Sequence, residues 1–418
     1  MSQYLSPGVY VEEVASSVQP IAGVGTSIAG FIGEVAGDVV MPAVPGKFLA
    51  NDAGVPVGAD GAPLGEGEDP VPVLYVVAPA GEPRLVTSWA GFKSQLGDFQ
   101  AGNRVLAHAV YGFFNNGGTR CWVTRIAPNA AVGAVPGALD ATAVQGALDG
   151  FATIDEIALV AVPGALDPAV QQAVVTHCEV MGDRFAILDG KRATAFTPAA
   201  IRTGAFTSNY AALYFPWISV FDPVSKGPLF VPPSGHVAGI YARVDTERGV
   251  HKAPANERVR GALGLEARLG RADQDGLNPA GINVIREMNG AITVWGARTL
   301  GGDANGEWKY VNVRRLFLYL RESIDEGTQW VVFEPNTPAL WSKITRNVTA
   351  FLTNVWRGGG LFGNTPAEAF YVRCDATTNP PDVRDLGQVV TEIGVSVARP
   401  AEFVIFRLSQ WAGPGADA

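Results

Sequence analysis

The sequence contains few of the residues and patterns that mark several large protein classes. Three of its 418 residues are cysteines, Cys121, Cys178 and Cys374, and they lie far apart without a CxxC pair. A disulfide framework or a cysteine-based zinc site is therefore not expected. The sequence contains no run of about 18 apolar residues, the length that a membrane-spanning helix requires. The opening MSQYLSPGVYVEE lacks the basic and apolar regions of a signal peptide. These absences predict synthesis in a reducing cytoplasm.

Dense basic surfaces and phosphate-binding motifs are also absent. The net charge is −9, and residues 1–160 contain 15 acidic but only 6 basic side chains, which argues against broad nucleic-acid binding. There is no GxxxxGK[ST] motif. The glycine-rich stretch 357–365 has no lysine and follows a predicted helix instead of opening one. The four histidines show no metal-ligand spacing, so we predict no cofactor and no metal site.

The patterns that are present predict a multi-domain α/β protein. Continuous apolar segments at 157–164, 184–190 and 210–218 have the length of strands. They alternate with helical patterns at 168–182 and near 198–204. Buried strands that alternate with helices indicate a parallel sheet covered on both faces.

Three further segments carry distinct local signals. Residues 36–72 are rich in Gly, Pro and Asp, which predicts a surface insertion or a long hairpin. The apolar segment 329–334, QWVVFE, predicts a strand. Residues 338–357 form the clearest predicted helix, because Thr337 can cap it, a proline occupies its first turn and Gly358 ends it.

Strand patterns at both ends of the chain, residues 8–14 and 402–409, lie outside the predicted compact regions. An isolated strand has unpaired backbone groups on both edges and must find a partner. Either both strands complete sheets of this chain, or one or both pair with a neighbouring subunit. The residues concerned are Val9, Tyr10, Val11, Glu12, Val14, Phe403, Val404, Ile405, Phe406 and Leu408.

One predicted helix carries positive charge without any negative charge. No acidic residue occurs between Glu334 and Glu368, and this window contains Lys343, Arg346 and Arg357. Offsets of 0, 3 and 14 residues place the three side chains on one helix face. Such a face is either simply solvated or suited to an acidic partner surface.

Two peptides are similar to those of subtilisin-like serine proteases. GTSIAG contains Ser27, SGHVAG contains His236, and Asp189 ends a predicted strand. Subtilisins, however, have the order Asp, His, Ser, whereas Ser27 precedes both other residues here. The serines after His236 do not lie in glycine-rich turns. Because catalysis requires all three side chains within hydrogen-bond reach, no catalytic residues are predicted, and a serine hydrolase remains only as the alternative function.

Several motifs resemble those of contractile tail sheath proteins and occur in the same order. They are YLSPGVYVEEV, PIAGVGTSIAGFIG, PPSGHVAGIYARVD, LNPAGINVIR, WKYVNVRRLFLYLRESI and FEPNTPALWSKITRNVTAFLTNVWRGG. The resemblance extends from about Tyr4 to Trp411 and thus over nearly the whole chain. It implies a core domain of mixed helices and strands and a subtilisin-like α/β middle domain without catalysis, flanked by extended terminal strand arms.

Transferred to this chain, the family plan predicts five segments. These are an N-terminal strand arm at 1–20, the N-terminal part of the core at 21–130, the subtilisin-like domain at 131–300, the C-terminal core at 301–398, and a C-terminal strand arm with a tail at 399–418.

The resemblance further implies a structural subunit that is not an enzyme and needs no cofactor. Such subunits form stacked hexameric rings around an inner tube and contract to drive it into a target. The implied partners are copies of the chain itself, the inner tube protein, and baseplate and terminal cap proteins, without nucleic acid or direct membrane insertion. The terminal strands would join sheets of adjacent subunits, and Lys343, Arg346 and Arg357 become candidates for contact with the inner tube. The expected locations are the cytoplasm during assembly and a phage tail or phage-tail-like particle, extracellular after release.

Overall fold

The computed structural model describes residues 20–58, 61–64, 68–128 and 139–407. The chain divides into two compact units. Of the described residues, the large unit contains those from Gly25 to Phe317 and those from Ala398 onward. The small unit contains residues 20–24 and the stretch Leu318–Val397. The small unit therefore joins two stretches that lie almost 300 residues apart in the sequence.

The strands of the described part are numbered along the chain. They are β1 (Ala29–Glu34), β2 (Ala43–Phe48), β3 (Pro72–Leu74), β4 (Arg84–Val86), β5 (Cys121–Ile126), β6 (Leu159–Ala161), β7 (Phe185–Asp189), β8 (Ala211–Phe215), β9 (Ile218–Asp222), β10 (Gly227–Val231), β11 (Glu257–Arg258), β12 (Gly264–Leu265), β13 (Ile282–Met288), β14 (Ala291–Val294), β15 (Phe370–Arg373) and β16 (Glu392–Val395).

The α-helices are numbered in the same way. They are α1 (Trp89–Leu96), α2 (Arg104–Asn116), α3 (Ala141–Phe151), α4 (Pro168–Met181), α5 (Pro198–Ile201), α6 (Ser234–Arg248), α7 (Arg271–Leu277), α8 (Val311–Thr328), α9 (Pro338–Arg357), α10 (Pro366–Ala369) and α11 (Pro381–Asp385).

A large mixed sheet forms the centre of the large unit. In the described residues its order is β11-β14-β13-β8-β7-β6-β1-β5-β4. The six strands from β13 to β5 run parallel to their neighbours, whereas β4, β14 and β11 pair antiparallel at the two margins. The predicted α/β class is thus confirmed, and β6, β7 and β8 lie within the three strand segments predicted from the apolar pattern.

Helices cover both faces of this sheet, which explains why its strands are apolar throughout. Successive side chains of a strand point to opposite faces. Phe31 of β1 meets Phe113 of α2 edge-on at a ring-centroid distance of 5.4 Å. Its neighbour Ile32 lies in the core cluster that contains Phe151 of α3. All four side chains are completely buried.

Glycines allow α2 and α6 to pack closely. A Cβ atom on Gly235 would lie 2.4 Å from the Ala109 backbone oxygen, and one on Gly239 would lie 2.4 Å from that of Phe113. Such distances are too short for non-bonded atoms. The four-residue spacing places both glycines on the same helix face. SGHVAG, which resembles a protease peptide in sequence, thus serves helix packing here.

The small unit is built around α9 and the C-terminal part of α8. Residues 20–24 run along α8: a Cβ on Gly327 would lie 2.6 Å from the Ile21 side chain, and the Val24 N–H donates to Ser323 Oγ at 3.1 Å. The predicted apolar side of α9 is buried at Leu340, Ile344, Val348, Phe351 and Leu352, while Val355 is half-buried. Strands β15 and β16 form an antiparallel pair beside this helix.

Several local expectations require correction. The predicted strand 329–334 is wrong: Gln329–Val331 form a 3₁₀ turn, and Phe333 is fully exposed with a φ of 67°. The predicted strand 210–218 is interrupted at Pro216, after which Ile218 begins a strand in the separate sheet β10-β9-β12. By contrast, the antiparallel pairing of β2 with β3 agrees with the long hairpin that was one of two alternatives for residues 36–72. Strands β1 and β5 share one sheet with β6, β7 and β8, and the five-segment division stays a prediction.

Candidate assembly surfaces

The solvent-facing side of α9 carries the three predicted basic side chains. Arg346 and Arg357 are exposed and Lys343 is half-buried, opposite the apolar side of the helix. None of them forms an ion pair with another residue in the described ranges. Uncompensated positive charge on one helix face attracts an acidic surface.

A cleft of about 760 Å³ separates α9 from β15. The wall formed by α9 includes Thr345, Arg346 and Thr349, and the other wall consists of the consecutive residues 371–375. Side chains alternate between the faces of a strand, so a wall of consecutive residues indicates that the strand edge lines the cleft.

The edge of β15 opposite β16 has no strand partner among the residues that the structure describes. Its backbone groups are therefore available to an added strand. Strand β15 was not among the predicted strands, although the run Phe370, Tyr371, Val372 between prolines is a recognisable strand signal.

The apolar run of the predicted C-terminal arm is exposed. Phe403, Val404, Ile405 and Phe406 have exposed fractions of 71, 67, 78 and 85 %, and these residues form no strand within the chain. A contiguous exposed apolar run of this kind is typical of a surface that contacts a partner. Leu408 and the predicted N-terminal arm residues, Val9, Tyr10, Val11, Glu12 and Val14, lie outside the described residues.

The three protease-like residues do not form a catalytic arrangement. Asp189 is buried, and its carboxylate accepts hydrogen bonds from Gly164 N–H at 3.0 Å, Ser234 N–H at 2.8 Å and Ser234 Oγ at 2.7 Å. Burial raises the pKa of Asp189 to about 6, although these hydrogen bonds oppose the shift. In the described part of the chain, Asp189 makes no hydrogen bond to His236 or Ser27.

His236 is buried where α6 packs on α2. Burial, with the nearby His108, lowers the pKa of His236 to about 3, and its Nδ1 atom has no hydrogen-bond partner among the described residues. A general base must reach both its nucleophile and its orienting acid. This histidine reaches neither, so the geometry gives no support to a serine hydrolase.

Among the described residues, no group of three or more His, Cys, Asp or Glu side chains lies close enough together to hold a metal ion. No helix there combines the length and the apolar character that spanning a membrane would require.

Comparisons with known proteins agree on one family. Residues 135–300 match the model for the phage tail sheath protein central domain, and residues 303–410 match the model for the phage tail sheath C-terminal domain. A protein of Pseudomonas aeruginosa (strain UCBPP-PA14), described as a prophage major tail sheath protein, is 27% identical over 295 residues. That alignment covers 68% of this chain and 73% of the relative.

Solved structures are similar over almost the full length. The sheath complex of PVC, an extracellular contractile injection system, in its contracted state has a TM-score of 0.71 and 26% identity. It covers 99% of both chains. The helical sheath of the anti-feeding prophage in its contracted state has a TM-score of 0.69 and 28% identity, with 97% of this chain and 99% of that chain covered.

Proposed function

We propose, from the premise that this chain belongs to the phage tail sheath family, that it polymerises as stacked hexameric rings around an inner tube and contracts to drive that tube through a target envelope. The observation that supports this most strongly is the likeness to a contracted sheath subunit over 99% of both chains. We propose a purely structural role without catalysis. Its partners are further copies of the chain, the inner tube protein, and baseplate and terminal cap proteins.

The terminal arms are the proposed links between subunits. The exposed apolar run 403–406 needs a cover, and the free edge of β15 in the cleft offers backbone groups to an incoming strand. A two-stranded sheet such as β15–β16 is marginal by itself and gains stability from additional strands. We therefore propose that an arm of a neighbouring subunit enters this cleft by β-augmentation.

The basic face of α9 is the proposed contact with the inner tube. Lys343, Arg346 and Arg357 would face acidic side chains of the tube protein. Each partly solvated ion pair contributes about 0–1 kcal/mol. Six subunits in a ring make these weak contacts together, so the sheath can hold the tube and still release it on contraction.

Contraction requires two arrangements of the same subunits. We propose that the extended lattice is metastable and held by tube contacts, whereas the contracted lattice has larger interfaces between sheath subunits. Once the baseplate releases one ring, its rotation favours the same change in the next, as in other rigid-body switches at bistable interfaces. We expect assembly in the cytoplasm and action within a phage tail or an injection particle, after release outside the producing cell.

Electron microscopy of the chain produced alone tests this proposal. Negative staining should show hollow ridged cylinders of contracted sheath, because self-assembly into that state needs no tube. A fluorophosphonate probe should label no serine under the same conditions. A monodisperse monomer at every concentration would contradict the sheath proposal, and a labelled serine would favour the hydrolase.

A further inference from the structure

Glu402 is attached to the large unit by four hydrogen bonds to its carboxylate. Arg298 binds both oxygens in a fork, with Nε to Oε1 at 2.8 Å and Nη2 to Oε2 at 2.9 Å. Asn278 Nδ2 donates to Oε1 at 2.7 Å, and Tyr310 Oη donates to Oε2 at 2.9 Å. Two-point pairing of arginine with a carboxylate fixes direction as well as distance.

Arg298 is also fixed by contacts with residues other than Glu402. Its side chain is only 4% exposed, and Nη1 donates to the Asn278 carbonyl and to Asp303 Oδ1, both at 3.0 Å. Asn283 bonds both backbone groups of Arg298, at 2.7 and 2.8 Å. Without Glu402, Asp303 would still pair with Nη1, but Nε and Nη2 of this buried guanidinium would lose the carboxylate that they bind. Unpaired buried donors of a charged group are costly, so Glu402 completes the site.

The carboxylate suits this charged role. Burial by itself would raise the pKa of Glu402, but the hydrogen bonds from Arg298, Asn278 and Tyr310 outweigh burial and lower it. The group is therefore ionised at neutral pH.

The remainder of the arm is not attached in this way. Among the described residues, the Glu402 side chain makes the only hydrogen bonds between residues 399–407 and the remainder of the chain. It is also the only residue of 401–407 that is not exposed. The segment is thus held at one point, directly before the apolar run that begins at Phe403.

We infer that Glu402, bound by Arg298, is a positioning residue that fixes the point from which the C-terminal arm leaves its subunit. This inference rests on the proposed sheath function. Without the anchor, the last attachment would be Ala398, whose carbonyl accepts from Asn312 at 3.4 Å. Four further residues would then become free, which adds up to about 14 Å of reach.

A longer tether weakens the contact with a neighbour without removing any contact residue. The distance along the chain from the anchor to Ile405, in the middle of the apolar run, grows from 3 to 7 residues. Effective concentration falls roughly with the −3/2 power of tether length, so it should fall about fourfold. The anchor thus raises the probability that the arm reaches its acceptor.

Polymerisation of two full-length variants provides one test. Glu402→Ala should raise the critical concentration for cylinder formation about fourfold relative to the wild type. Glu287→Ala removes the carboxylate of an exposed ion pair with Arg268 in the same unit and should leave the critical concentration unchanged. If Glu402→Ala does not fold, Glu402→Gln preserves shape, removes the charge and should change the critical concentration in the same direction.

A spin label provides a readout that a merely structural role would not change. A nitroxide attached through an Arg407→Cys substitution reports arm motion in the unassembled chain, and the three native cysteines are buried. Glu402→Ala should sharpen the spectrum at temperatures well below the melting transition, where the large unit is still folded. Glu287→Ala should leave the spectrum the same as that of the chain whose only change is the labelled Arg407→Cys.

The two readouts separate this inference from the proposed function. Unchanged spectra together with an unchanged critical concentration would overturn the anchor and leave the sheath function standing. If the chain never polymerises but its spin label becomes more mobile in Glu402→Ala, the anchor is supported and the sheath proposal is overturned.

Discussion

At the residue scale, two buried side chains of the large unit owe their shifted pKa values chiefly to burial. His236 has its pKa lowered to about 3 and Asp189 has its pKa raised to about 6. The two shifts act on stability in different pH ranges. The raised pKa of Asp189 adds to the free energy of unfolding; this contribution is fully present below about pH 4 and is lost as the pH rises through 6. That of His236 is present above about pH 6.5 and is lost as the pH falls towards 3.

Replacing His236 by leucine should therefore make the large unit less sensitive to acid. The unfolded chain takes up a proton on His236 near pH 6.5 that the folded chain refuses, which costs the wild type about 3 kcal/mol at pH 4.5. Urea unfolding of the unassembled chain from pH 8 to 4.5 measures this. Near pH 5, the leucine variant should take up about one proton fewer on unfolding than the wild type does. An identical pH slope in both proteins would show that His236 is protonated in the fold.

At the element scale, the packing of α2 on α6 depends on glycine. Gly239→Ala would place a methyl group 2.4 Å from the Phe113 backbone oxygen and 2.7 Å from Asn116 Cβ. We expect a net destabilisation of about 1–3 kcal/mol from overpacking. Thermal unfolding should show a lower melting temperature.

Gly146→Ala is the matched control for this substitution. Gly146 lies within α3, is exposed, and a Cβ there would have no atom within 4 Å. Because alanine favours the helix, this variant should be stabilised by up to about 1 kcal/mol. If both alanine variants melt alike, the close packing of α2 on α6 is not what requires glycine at 239.

The basic face of α9 yields a second prediction at this scale. Changing Lys343, Arg346 and Arg357 together to glutamate should block assembly of extended sheath on its tube. The chain alone should still form contracted cylinders, since these need no tube. Co-expression with tube and baseplate proteins, followed by electron microscopy, compares the two states. High salt should weaken the extended state of the wild type in the same direction, because it screens exposed charges.

A second triple variant controls for the change of six charge units per subunit. Lys47, Lys226 and Arg271 are exposed side chains of the large unit, and their replacement by glutamate should leave extended assembly intact. Extended particles of normal length from the α9 variant would mean that its basic face is only solvated.

Elements with a strong local signal could be predicted from the sequence. The proline in its first turn, the apolar stripe and the glycine after Arg357 together located α9, and the buried runs located β7 and β8. The segment 329–334 could not be predicted, because a short apolar run has the same pattern in a strand and in a turn that follows a helix. Only the structure shows Val332 and Phe333 exposed.

The candidate surfaces were predictable to different degrees. Helical spacing was sufficient to place Lys343 and Arg346 on one face. The attachment of Glu402 was not visible, because its partner Arg298 is 104 residues away and no local pattern connects them. The place of β1 between β5 and β6 was hidden for the same reason, since both neighbours are distant from it in the sequence.

At the scale of the whole molecule, the arms should be required for polymers but not for folding. Deletion of residues 1–14, or of everything from Pro400, should leave a folded body that makes no long cylinders. Each strand of about six residues forms several backbone hydrogen bonds, each with a net contribution of about 0.5–1.5 kcal/mol. Circular dichroism would check the fold and electron microscopy the polymers. Normal cylinders from both truncated chains would rule out linkage through the arms.

The division of the small unit between residues 20–24 and 318–397 has a consequence for events at the ribosome. Ile21 and Val24 have no site to pack on until Ser323 and Gly327 of α8 exist. The 293 residues between Val24 and Leu318 take roughly 15–60 s to translate at about 5–20 residues per second. Residues 20–24 are thus made before the helix on which they pack. The cleft beside Tyr371 and the anchor at Glu402 emerge later still, so a growing chain lacks both the proposed acceptor for a neighbour's arm and the fixed exit of its own C-terminal arm. The order of synthesis therefore delays these two contacts between subunits.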